Sequence, residues 1–520
     1  MKSLEPQNLP TRRDFLRQSA CATLGATGLV NALAHMRLMT AAMAQSNPSP
    51  NYKALVCLFL GGGNDSNNLL VPAGDPATDP LRADYENGRG VVAIPSANLH
   101  PLTVPTSTMA FTRHHGGLIP PMGVHPSAKA LATLFNAGDL AFVANVGTLS
   151  YPVATRTEYL NGSVPLPLQL MSHEDQSVQW QSSISDRRFS SGWGGRAADL
   201  LHASYNDSSS SKVSMSISLA GINSFQAGTT GEVVQYVVRP NNGTSPLHGF
   251  DGVQGDHDPY DSARNPDGSY KSNDSGRRLK GFEDIMRLTH ENLHEETYNR
   301  LVARSRAAES NVSAALVASA TSGVDFDTLF ATARSPLGDQ LKTIAKLIAS
   351  RSFLGNNCQI FFCQIGGYDT HENLLSSQVD LINELSQGMS AFHSAIQALD
   401  VLNHVTTFTA SDFNRALVPD GSDSETAGSN HAWGGHTMVM GGAVRGGDIY
   451  GHFPSLKLSS TSSSIDIGGG RWIPDTSVDQ YSAVLSAWMG VGISEMQAIF
   501  PNLPRFDDPF SVASANLGFL

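Results

Sequence analysis

Cysteine and charge are both scarce in this chain of 520 residues, which contains four cysteines and 15% charged side chains. A dense disulfide framework, which stabilises many small exported domains, is therefore not expected. Cys358 and Cys363 lie five residues apart in a segment with the pattern of a strand, so their side chains project to opposite faces and cannot bond to each other. The cysteines at and beyond Cys57 are expected to be buried thiols that pack as small apolar groups.

Basic clusters and long apolar runs are also missing after the N-terminal segment. The formal net charge is −12, and an acidic chain without a basic patch is a poor partner for nucleic acid or an anionic membrane. No later segment approaches the roughly 20 apolar residues that a membrane-spanning helix needs, so stable membrane insertion is not expected. Small solutes, cations and neutral polymers stay open as partners.

Residues 1–44 resemble a twin-arginine export signal. Arg12 and Arg13 precede Phe15 in TRRDFLRQ, a weakly apolar stretch follows, and AMAQ offers small residues for cleavage after Ala44. The alternative is a surface helix that happens to carry two arginines. The resemblance implies export of the folded protein by the twin-arginine translocase, into the periplasm or out of the cell. Residues 45–520 are then expected to form a single domain.

Strands and helices alternate along the mature chain, which predicts an α/β fold. The segment KALVCLFLGG at 53–62 is a continuous apolar run, typical of a parallel strand that is buried on both faces. Further strands are predicted at 141–147, 212–221 and 358–367, and helices at 125–140, 193–203, 279–320 and 337–350. We therefore expect a doubly wound, mostly parallel sheet that is flanked by helices.

A stripe of apolar residues at spacings of three and four follows the strand at 358–367, as in a helix packed on a sheet. Its members are Leu375, Val379, Ile382, Leu385, Met389, Phe392, Ile396 and Leu399. The stripe is assigned to the core and not to a cofactor.

Residues 239–278 are rich in Asn, Asp, Gly, Ser and Pro, and are predicted to be a long surface insertion in this fold. Four aspartates within it could hold calcium: Asp256, Asp258, Asp261 and Asp267. They do not match the twelve-residue helix-loop-helix pattern, so a solvated loop is favoured.

Polar side chains follow three of the apolar runs. Asp65 follows the first strand, Asp369 and His371 follow CQIFFCQI, and Asp412 follows HVTTFTA. Ligands of open parallel sheets bind beyond the carboxyl ends of the strands. Asp369 and His371 are two residues apart in an extended segment, so their side chains point to the same side and both reach one ion. Carboxylate oxygens and imidazole nitrogens from several loops are the ligands of a divalent metal site.

A fourth polar group, SNHAWGGHTMVMGG, places His431 and His436 before another apolar run. Each group also has a structural explanation. Asp65 could cap the next helix, Asp412 could form a buried ion pair with Arg415, and the two histidines could be loop residues with satisfied hydrogen bonds. The joint occurrence at three strand ends favours metal binding.

Six segments together resemble the bacterial exported family known as domain of unknown function 1501. They are YKALVCLFLGGGNDSNNLLVP, GVHPSAKALATLFNAGDLAFVANVGTLSYP, GGYDTHENL, FTASDFNRALVPDGS, GSNHAWGGHTMVMGGAVRGGDIYG and RWIPDTSVDQYSAVLSAWMGV. The family is grouped with the alkaline phosphatase and sulfatase superfamily. The resemblance therefore implies an alkaline phosphatase-like fold and, in active relatives, a two-metal site that hydrolyses phosphate or sulfate esters.

The resemblance also implies site residues. The implied ligands of one or two ions of zinc, manganese or calcium are Asp65, Asp369, His371, Asp412, His431 and His436, with the two last as alternatives. A hydroxyl nucleophile is implied in LSYPVATRTEYLNG, where Thr155 and Thr157 are the candidates and Arg156 could hold an oxyanion.

Three positions depart from the family pattern and put one metal position in doubt. Glu158 stands where a histidine is common, Asn430 where an aspartate is frequent, and Phe413 where active alkaline phosphatases have a histidine ligand. The main hypothesis is a metal-dependent hydrolase of a small-molecule or polymeric phosphate or sulfate ester. The alternatives are a catalytically inactive exported binding or assembly protein with the same fold, and a structural calcium site without activity.

Overall fold

The computed structural model describes residues 52–206, 210–240, 263–265, 267–286 and 308–520. Residues 51–520 form one unit, and residues 1–50, with the predicted export signal, lie outside the described part of the chain. Most of the predicted insertion, at 241–262, lies outside it as well.

The described strands are short or of moderate length. In chain order they are β1 Lys53–Leu60, β2 Leu70–Pro72, β3 His100–Leu102, β4 Met122–Val124, β5 Leu140–Gly147, β6 Ser216–Ser218, β7 Tyr236–Val237, β8 Cys358–Ile365, β9 Val405–Ser411, β10 Arg415–Asp420, β11 Gly428–His431, β12 Gly435–Met440, β13 Ile449–Gly451 and β14 Thr476–Ser477.

The longer helices are α1 Pro80–Arg89, α2 Lys129–Ala137, α3 His173–Ser182, α4 Trp193–Tyr205, α5 Asp274–Met286, α6 Pro336–Ala349, α7 Leu374–Ala398 and α8 Val478–Met489. Residues 308–318 are also helical. The short helices are Ser66–Leu69, Thr112–His115, Arg156–Asn161, Phe326–Leu329, Arg351–Leu354, Met496–Ile499 and Val512–Ala515. Within the described residues, no helix combines the length and the apolar character needed to cross a membrane.

The central sheet is mixed. Nine of the described strands belong to it, in the order β13-β5-β12-β9-β1-β8-β6-β7, and β14 pairs with the far end of β5. β1 runs parallel to β8 and β9, whereas β12 is antiparallel to β9 and β5. One described strand thus opposes the direction of the others. The prediction of an α/β fold with a large sheet flanked by helices is confirmed at this level.

Both faces of the sheet are covered by helices. Successive residues of β1 alternate between two apolar cores: Val56 and Leu58 pack with residues of α2, α6 and α7, and Leu55 and Cys57 pack with residues of α4 and α8. This double burial explains why the strand is apolar at every position. Each large apolar side chain that is buried in this way contributes about 1.5–3 kcal/mol.

The thiol prediction and the core stripe are largely matched. The described cysteines are free and buried. Along α7, most of the predicted stripe is buried, but Val379 is 50% exposed. Gln378 takes the buried position instead, where its Oε1 accepts a hydrogen bond from Asn68 Nδ2. The prediction for Val379 is therefore wrong, because Gln378 and not Val379 faces the interior at this turn of the helix.

Two predicted elements differ in extent. The strand expected at 212–221 is restricted to Ser216–Ser218. The segment predicted as one long helix at 279–320 contains α5, which begins earlier, at Asp274, and is described to Met286, and a helical stretch at 308–318. Residues 287–307 lie outside the described part of the chain.

The carboxyl ends of β1, β8 and β9 lie side by side at one edge of the sheet, because Leu60 pairs with both Ile365 and Ser411. The loops that follow these strands approach one another closely. Gly62 has a φ of +114°, and a Cβ there would lie 2.5 Å from the backbone nitrogen of Asp369. Only glycine fits this position, and it allows the loops after β1 and β8 to meet.

Candidate metal centre

Three separate parts of the chain bring polar side chains to this edge. Asp369 and His371 lie in the loop after β8, His431 is the last residue of β11, and His173 is the first residue of α3. The side chain of Ser172 caps α3 by accepting a hydrogen bond from the backbone of Asp175, which fixes the start of the helix and the position of His173.

The Nε2 atoms of three histidines converge on one oxygen of Asp369. Asp369 Oδ1 lies 3.3 Å from His173 Nε2, 3.0 Å from His371 Nε2 and 3.5 Å from His431 Nε2. His431 Nε2 is also 3.1 Å from His173 Nε2 and 3.0 Å from His371 Nε2. These four side chains are called the histidine cluster below.

Hydrogen bonds on the far side of two rings determine which nitrogen carries the proton. His173 Nδ1 lies 2.7 Å from Asp412 Oδ2, and His431 Nδ1 lies 2.9 Å from the carbonyl oxygen of Met171. Both oxygens accept, so both Nδ1 atoms carry a hydrogen, and in the neutral rings the lone pairs are on Nε2. Two lone pairs thus face each other at 3.1 Å.

The third ring has the same polarity. Arg415 Nη1, which only donates, lies 3.4 Å from His371 Nε2, so in the neutral ring the lone pair of His371 accepts from Arg415. The facing electron pairs of His173 and His431 and the oxygen of Asp369 repel one another unless a proton or a metal ion is shared between them. The Arg415 guanidinium, which is fully buried and donates to Asp369 Oδ1, supplies part of that positive charge from one side.

The spacing of three of these side chains fits a coordination shell: His173, Asp369 and His431 offer ligand atoms that all lie within 4.8 Å of one another, and His371 lies beside this set without belonging to it. A tetrahedral ion with bonds of about 2.0–2.1 Å separates its ligand atoms by about 3.3 Å. The separations from Asp369 Oδ1 to the three Nε2 atoms, 3.0–3.5 Å, scatter around that value. The second contacts also match known metal sites, in which each ligating histidine donates its other N–H to a carboxylate or carbonyl oxygen.

The protonation states favour cation binding at neutral pH. Burial raises the pKa of Asp369, but the hydrogen bond and charge of Arg415, with the charges of His173 and His371, outweigh it and hold the pKa below its ordinary value. Burial, together with the charges of Arg415 and the neighbouring histidines, lowers the pKa of His431 despite its bond to the Met171 carbonyl. At pH 7 the carboxylate is thus ionised and His431 is neutral.

An aromatic ring packs against two members of the histidine cluster. The ring centroid of Phe413 lies 4.7 Å from that of His173 and 4.6 Å from that of His431. Phe413 was noted as the residue that replaces a histidine ligand of active alkaline phosphatases. Here it packs against two imidazoles and offers no ligand atom.

Asp412 contacts the cluster through the outer nitrogen of His173 and not at its centre. Its Oδ2 accepts from His173 Nδ1 and, at 3.2 Å, from the backbone nitrogen of Gly62, while its Oδ1 is buried without a hydrogen-bond partner. The proposed ion pair of Asp412 with Arg415 is wrong, because Arg415 pairs with Asp369 across the loop ends.

Asp65 is not brought into the cluster. Its side chain forms a buried ion pair with Arg89 and caps the helix Ser66–Leu69 by accepting from the backbone of Asn67. The remaining donors of Arg89 reach Asn68 Oδ1 and the carbonyls of Ala416 and Leu417. The structural explanation for Asp65 as a helix cap therefore matches its position.

His436 also lies away from the cluster. It is buried beneath the sheet edge, where its Nδ1 accepts from the backbone of Asn145 at 3.2 Å and its ring stacks on Phe453 with a centroid distance of 4.8 Å. Burial lowers the pKa of His436 to about 3. Of the two alternative histidines, the structure places His431 with Asp369 and not His436.

The three residues expected to supply nucleophile and oxyanion contacts lie at the start of the short helix Arg156–Asn161. Thr155 caps that helix by accepting from the backbone of Glu158, and Thr157 Oγ1 donates to the carbonyl of Ser462 at 3.0 Å. Arg156 Nη1 donates to the carbonyl of Asp466 at 2.9 Å. Both hydroxyls thus have structural partners, and no described contact joins them to the histidine cluster.

An open cavity of about 440 Å³ lies against the cluster. It is lined by Tyr159, Met171, His371, Asn430, His431, Ile467 and Arg471. The side chains of Asp369 and His371 are 49% and 43% exposed, so a small molecule reaches the cluster from solvent.

Sequence reasoning missed His173 and assigned Arg415 to the wrong partner. The motif Ser172-His173-Glu174-Asp175 has the signature of a helix start, with a serine cap and acidic residues in the first turn. That signature locates the start of α3, but the approach of this helix to the strand ends depends on packing between distant segments.

The model of one protein family, described as "Protein of unknown function (DUF1501)", matches residues 52–467. No curated protein and no solved structure matches the chain. The family match covers more than half of the 520 residues and includes all four members of the histidine cluster. The chain therefore belongs to the DUF1501 family of proteins of unknown function.

Proposed function

We propose that this protein is an exported, metal-dependent hydrolase of phosphate or sulfate esters, with one divalent ion held by His173, Asp369 and His431 and with His371 beside it. The observation that carries the proposal is the convergence of imidazole nitrogens on one carboxylate oxygen, at separations of 3.0–3.5 Å, with His173, Asp369 and His431 close enough together to share an ion. The family resemblance to alkaline phosphatases and sulfatases supplies the expected ester chemistry.

The donor set narrows the choice of ion. Two imidazole nitrogens and one carboxylate oxygen suit zinc, and also manganese, whereas calcium takes six to eight oxygen ligands. The cluster does not provide such a set of oxygens. A single ion also fits Phe413, whose ring fills the space beside His173 and His431 where a further ligand would be needed.

The residues of the chain have distinct tasks in this proposal. An ion of this kind supplies a Lewis acid and lowers the pKa of a bound water. Asp412 holds His173 in the tautomer that exposes Nε2, and the Met171 carbonyl does the same for His431. Arg415 orients Asp369 and keeps it ionised. The exposed sides of Asp369 and His371 leave the cluster open to an ester in the cavity.

The first test is elemental analysis of the processed protein purified without chelators. We expect about one equivalent of zinc or manganese per chain, which Asp369→Ala and His173→Ala lose while Asp423→Ala, an exposed control, retains it. Stoichiometric metal in the wild type makes a panel of phosphate and sulfate esters the next assay, in which Asp369→Ala abolishes turnover. Full metal content in both cluster variants would contradict the site, as would a wild-type protein free of metal.

The second candidate is a binding or assembly protein that has the fold without the chemistry. It is favoured by the hydroxyls of Thr155 and Thr157, which are engaged in the helix cap and with Ser462 and not with the cluster. This candidate requires no turnover on any ester and a saturable partner in the exported fraction. Robust hydrolysis that depends on Asp369 would rule it out.

Export by the twin-arginine translocase is part of the proposal and rests on the motif TRRDFLRQ. Replacing Arg12 and Arg13 by lysine should leave the precursor in the cytoplasm, as shown by fractionation of the cells. Normal export of the double variant would instead favour the surface-helix alternative for residues 1–44.

A further inference from the structure

The cavity against the histidine cluster contains a second positively charged group. Arg471 lines it together with His371, His431 and the apolar side chain of Ile467. Arg415, the other arginine at the cluster, is neutralised by Asp369. Within the described residues, Arg471 has no ion-pair partner.

The loop that carries Arg471 is rigidly constructed. The carboxylate of Asp466, which is 2% exposed, accepts hydrogen bonds from the backbone of Gly468, Gly470 and Arg471. Gly470 has a φ of +73°, and a Cβ there would lie 2.3 Å from Leu417 Cβ, so this position requires glycine. The backbone that presents Arg471 is therefore held in place before any ligand arrives.

The guanidinium is fixed on two of its three nitrogens. Its Nε donates to the carbonyl of His431 at 2.7 Å, and its Nη1 donates to the carbonyl of Gly468 at 2.8 Å. In the described part of the chain, Nη2 makes no hydrogen bond to the protein. An arginine that is oriented by backbone carbonyls and lacks a carboxylate partner retains its full charge for a ligand.

We infer that Arg471 binds the anionic group of the ester that the histidine cluster acts on, and that Tyr159 and Ile467 contact the apolar part of the same substrate. The inference deepens the proposed function and rests on it. Arg471 is tied to His431 through one hydrogen bond and both residues line the cavity, so an oxyanion bound to Arg471 lies beside the cluster. The substrate class is an anionic ester with an apolar or aromatic substituent.

This assignment differs from the one implied by the family resemblance, in which Arg156 holds the oxyanion. Arg156 donates to the carbonyl of Asp466 behind the glycine loop and does not line the cavity. It approaches that loop from outside, with Nη1 3.8 Å from the position of a Cβ on Gly468. Arg156 thus supports the loop, and Arg471 presents its charge to the ligand.

The test measures the binding of inorganic phosphate and of sulfate by calorimetry, together with metal content, for wild type, Arg471→Gln and Arg471→Lys. We expect Arg471→Gln to weaken phosphate binding at least tenfold with its metal content unchanged. Arg471→Lys should recover part of the affinity, because the charge returns without the planar fork. Arg334→Gln, which removes an exposed arginine elsewhere, is the matched control and should bind as the wild type does.

The outcomes separate this inference from the proposed function. A wild-type protein without metal contradicts the proposed function, whatever the anion data show. Metal-loaded protein with the same phosphate affinity in wild type and Arg471→Gln overturns the inference and leaves the metal centre standing. Loss of metal and anion together in Arg471→Gln also overturns it, because Arg471 would then act only by positioning His431. Loss of affinity in Arg156→Gln alone would return the anion to Arg156.

Discussion

Two groups of charged residues lie at the same edge of the sheet and differ in how their polar atoms are satisfied. The Asp65–Arg89 pair is buried, and the donors of Arg89 reach Asp65, Asn68 and two backbone carbonyls. The histidine cluster is partly exposed, and its lone pairs face one another around Asp369. Both groups follow strands of similar pattern, and only one needs a further ligand.

The difference shows what a strand-end carboxylate reveals by itself. Asp65 and Asp369 both follow glycine-rich turns after buried strands, and both contact an arginine. Asp65 is enclosed and its charge is balanced one to one, so it stabilises the fold. Asp369 is surrounded by three imidazoles and one guanidinium, so hydrogen-bond acceptors outnumber donors around it. The excess of acceptors, and not the position after a strand, distinguishes Asp369 from Asp65 and makes it the candidate metal ligand.

The largest effect is expected when one partner of the buried Asp65–Arg89 pair is removed. Arg89→Met leaves Asp65 as an uncompensated buried charge, and we expect a loss of about 3–5 kcal/mol in the free energy of unfolding. Urea denaturation of the wild type and the variant measures it. Metal content per folded chain should be unchanged. Asp65→Asn should likewise retain the metal, and its loss in that variant would place Asp65 among the ligands after all.

A second prediction concerns His436, which is buried, whereas the histidines of the cluster are partly exposed. The pKa of His436 is lowered to about 3 by burial, whereas an unfolded histidine titrates near 6.5. Between these values the unfolded chain binds more protons, so stability falls as the pH falls. From pH 6.5 to pH 4 the loss from this residue alone is about 3 kcal/mol, at about 1.36 kcal/mol per pH unit.

Denaturation of wild type and His436→Gln at several pH values in that range tests it. The variant should show a shallower loss of stability on acidification than the wild type does. Equal slopes in wild type and His436→Gln would show that His436 is protonated without penalty. The surroundings of His436 would then be less enclosed than its contacts indicate.

The smallest predicted effect concerns Asp412, which contacts His173 of the histidine cluster. Asp412→Asn keeps an oxygen near His173 Nδ1 but removes the charge, so metal affinity should fall by about 10–100-fold with little change in stability. Competition with a chelator of known affinity measures it, and Asp423→Asn, on an exposed loop, is the control. Unchanged affinity would mean that Asp412 does not orient His173.

The local sequence pattern was sufficient to predict the strand and the loop that carry part of the site. The apolar run of β1 and the pair Asp369 and His371 were readable because a buried parallel strand and a two-residue spacing have direct geometric consequences. The family was likewise readable from its long motifs, and the match to DUF1501 confirms it. An alkaline phosphatase-like fold stays a prediction.

Contacts between residues that are distant in sequence could not be predicted. Asp65 was separated from the cluster by Arg89, which is 24 residues away, and His436 by its contact with Asn145, which is 291 residues away. His173 joins the cluster from 239 residues before Asp412. Spacing identifies residues that share a segment, but the hydrogen-bond partner that decides between a structural and a metal-binding role is set by packing.

The wide separation of the ligands in sequence has a consequence for how the protein matures. A bond through an ion between His173 and His431 closes a loop of 258 residues. In the chain-entropy relation for cross-links, restricting such a loop in the unfolded chain corresponds to about 5 kcal/mol. No short peptide of this chain contains the complete set of ligands, so the ion is captured only after the whole sheet has assembled. A metal bound at the proposed site would report that folding is complete before export by the proposed twin-arginine route.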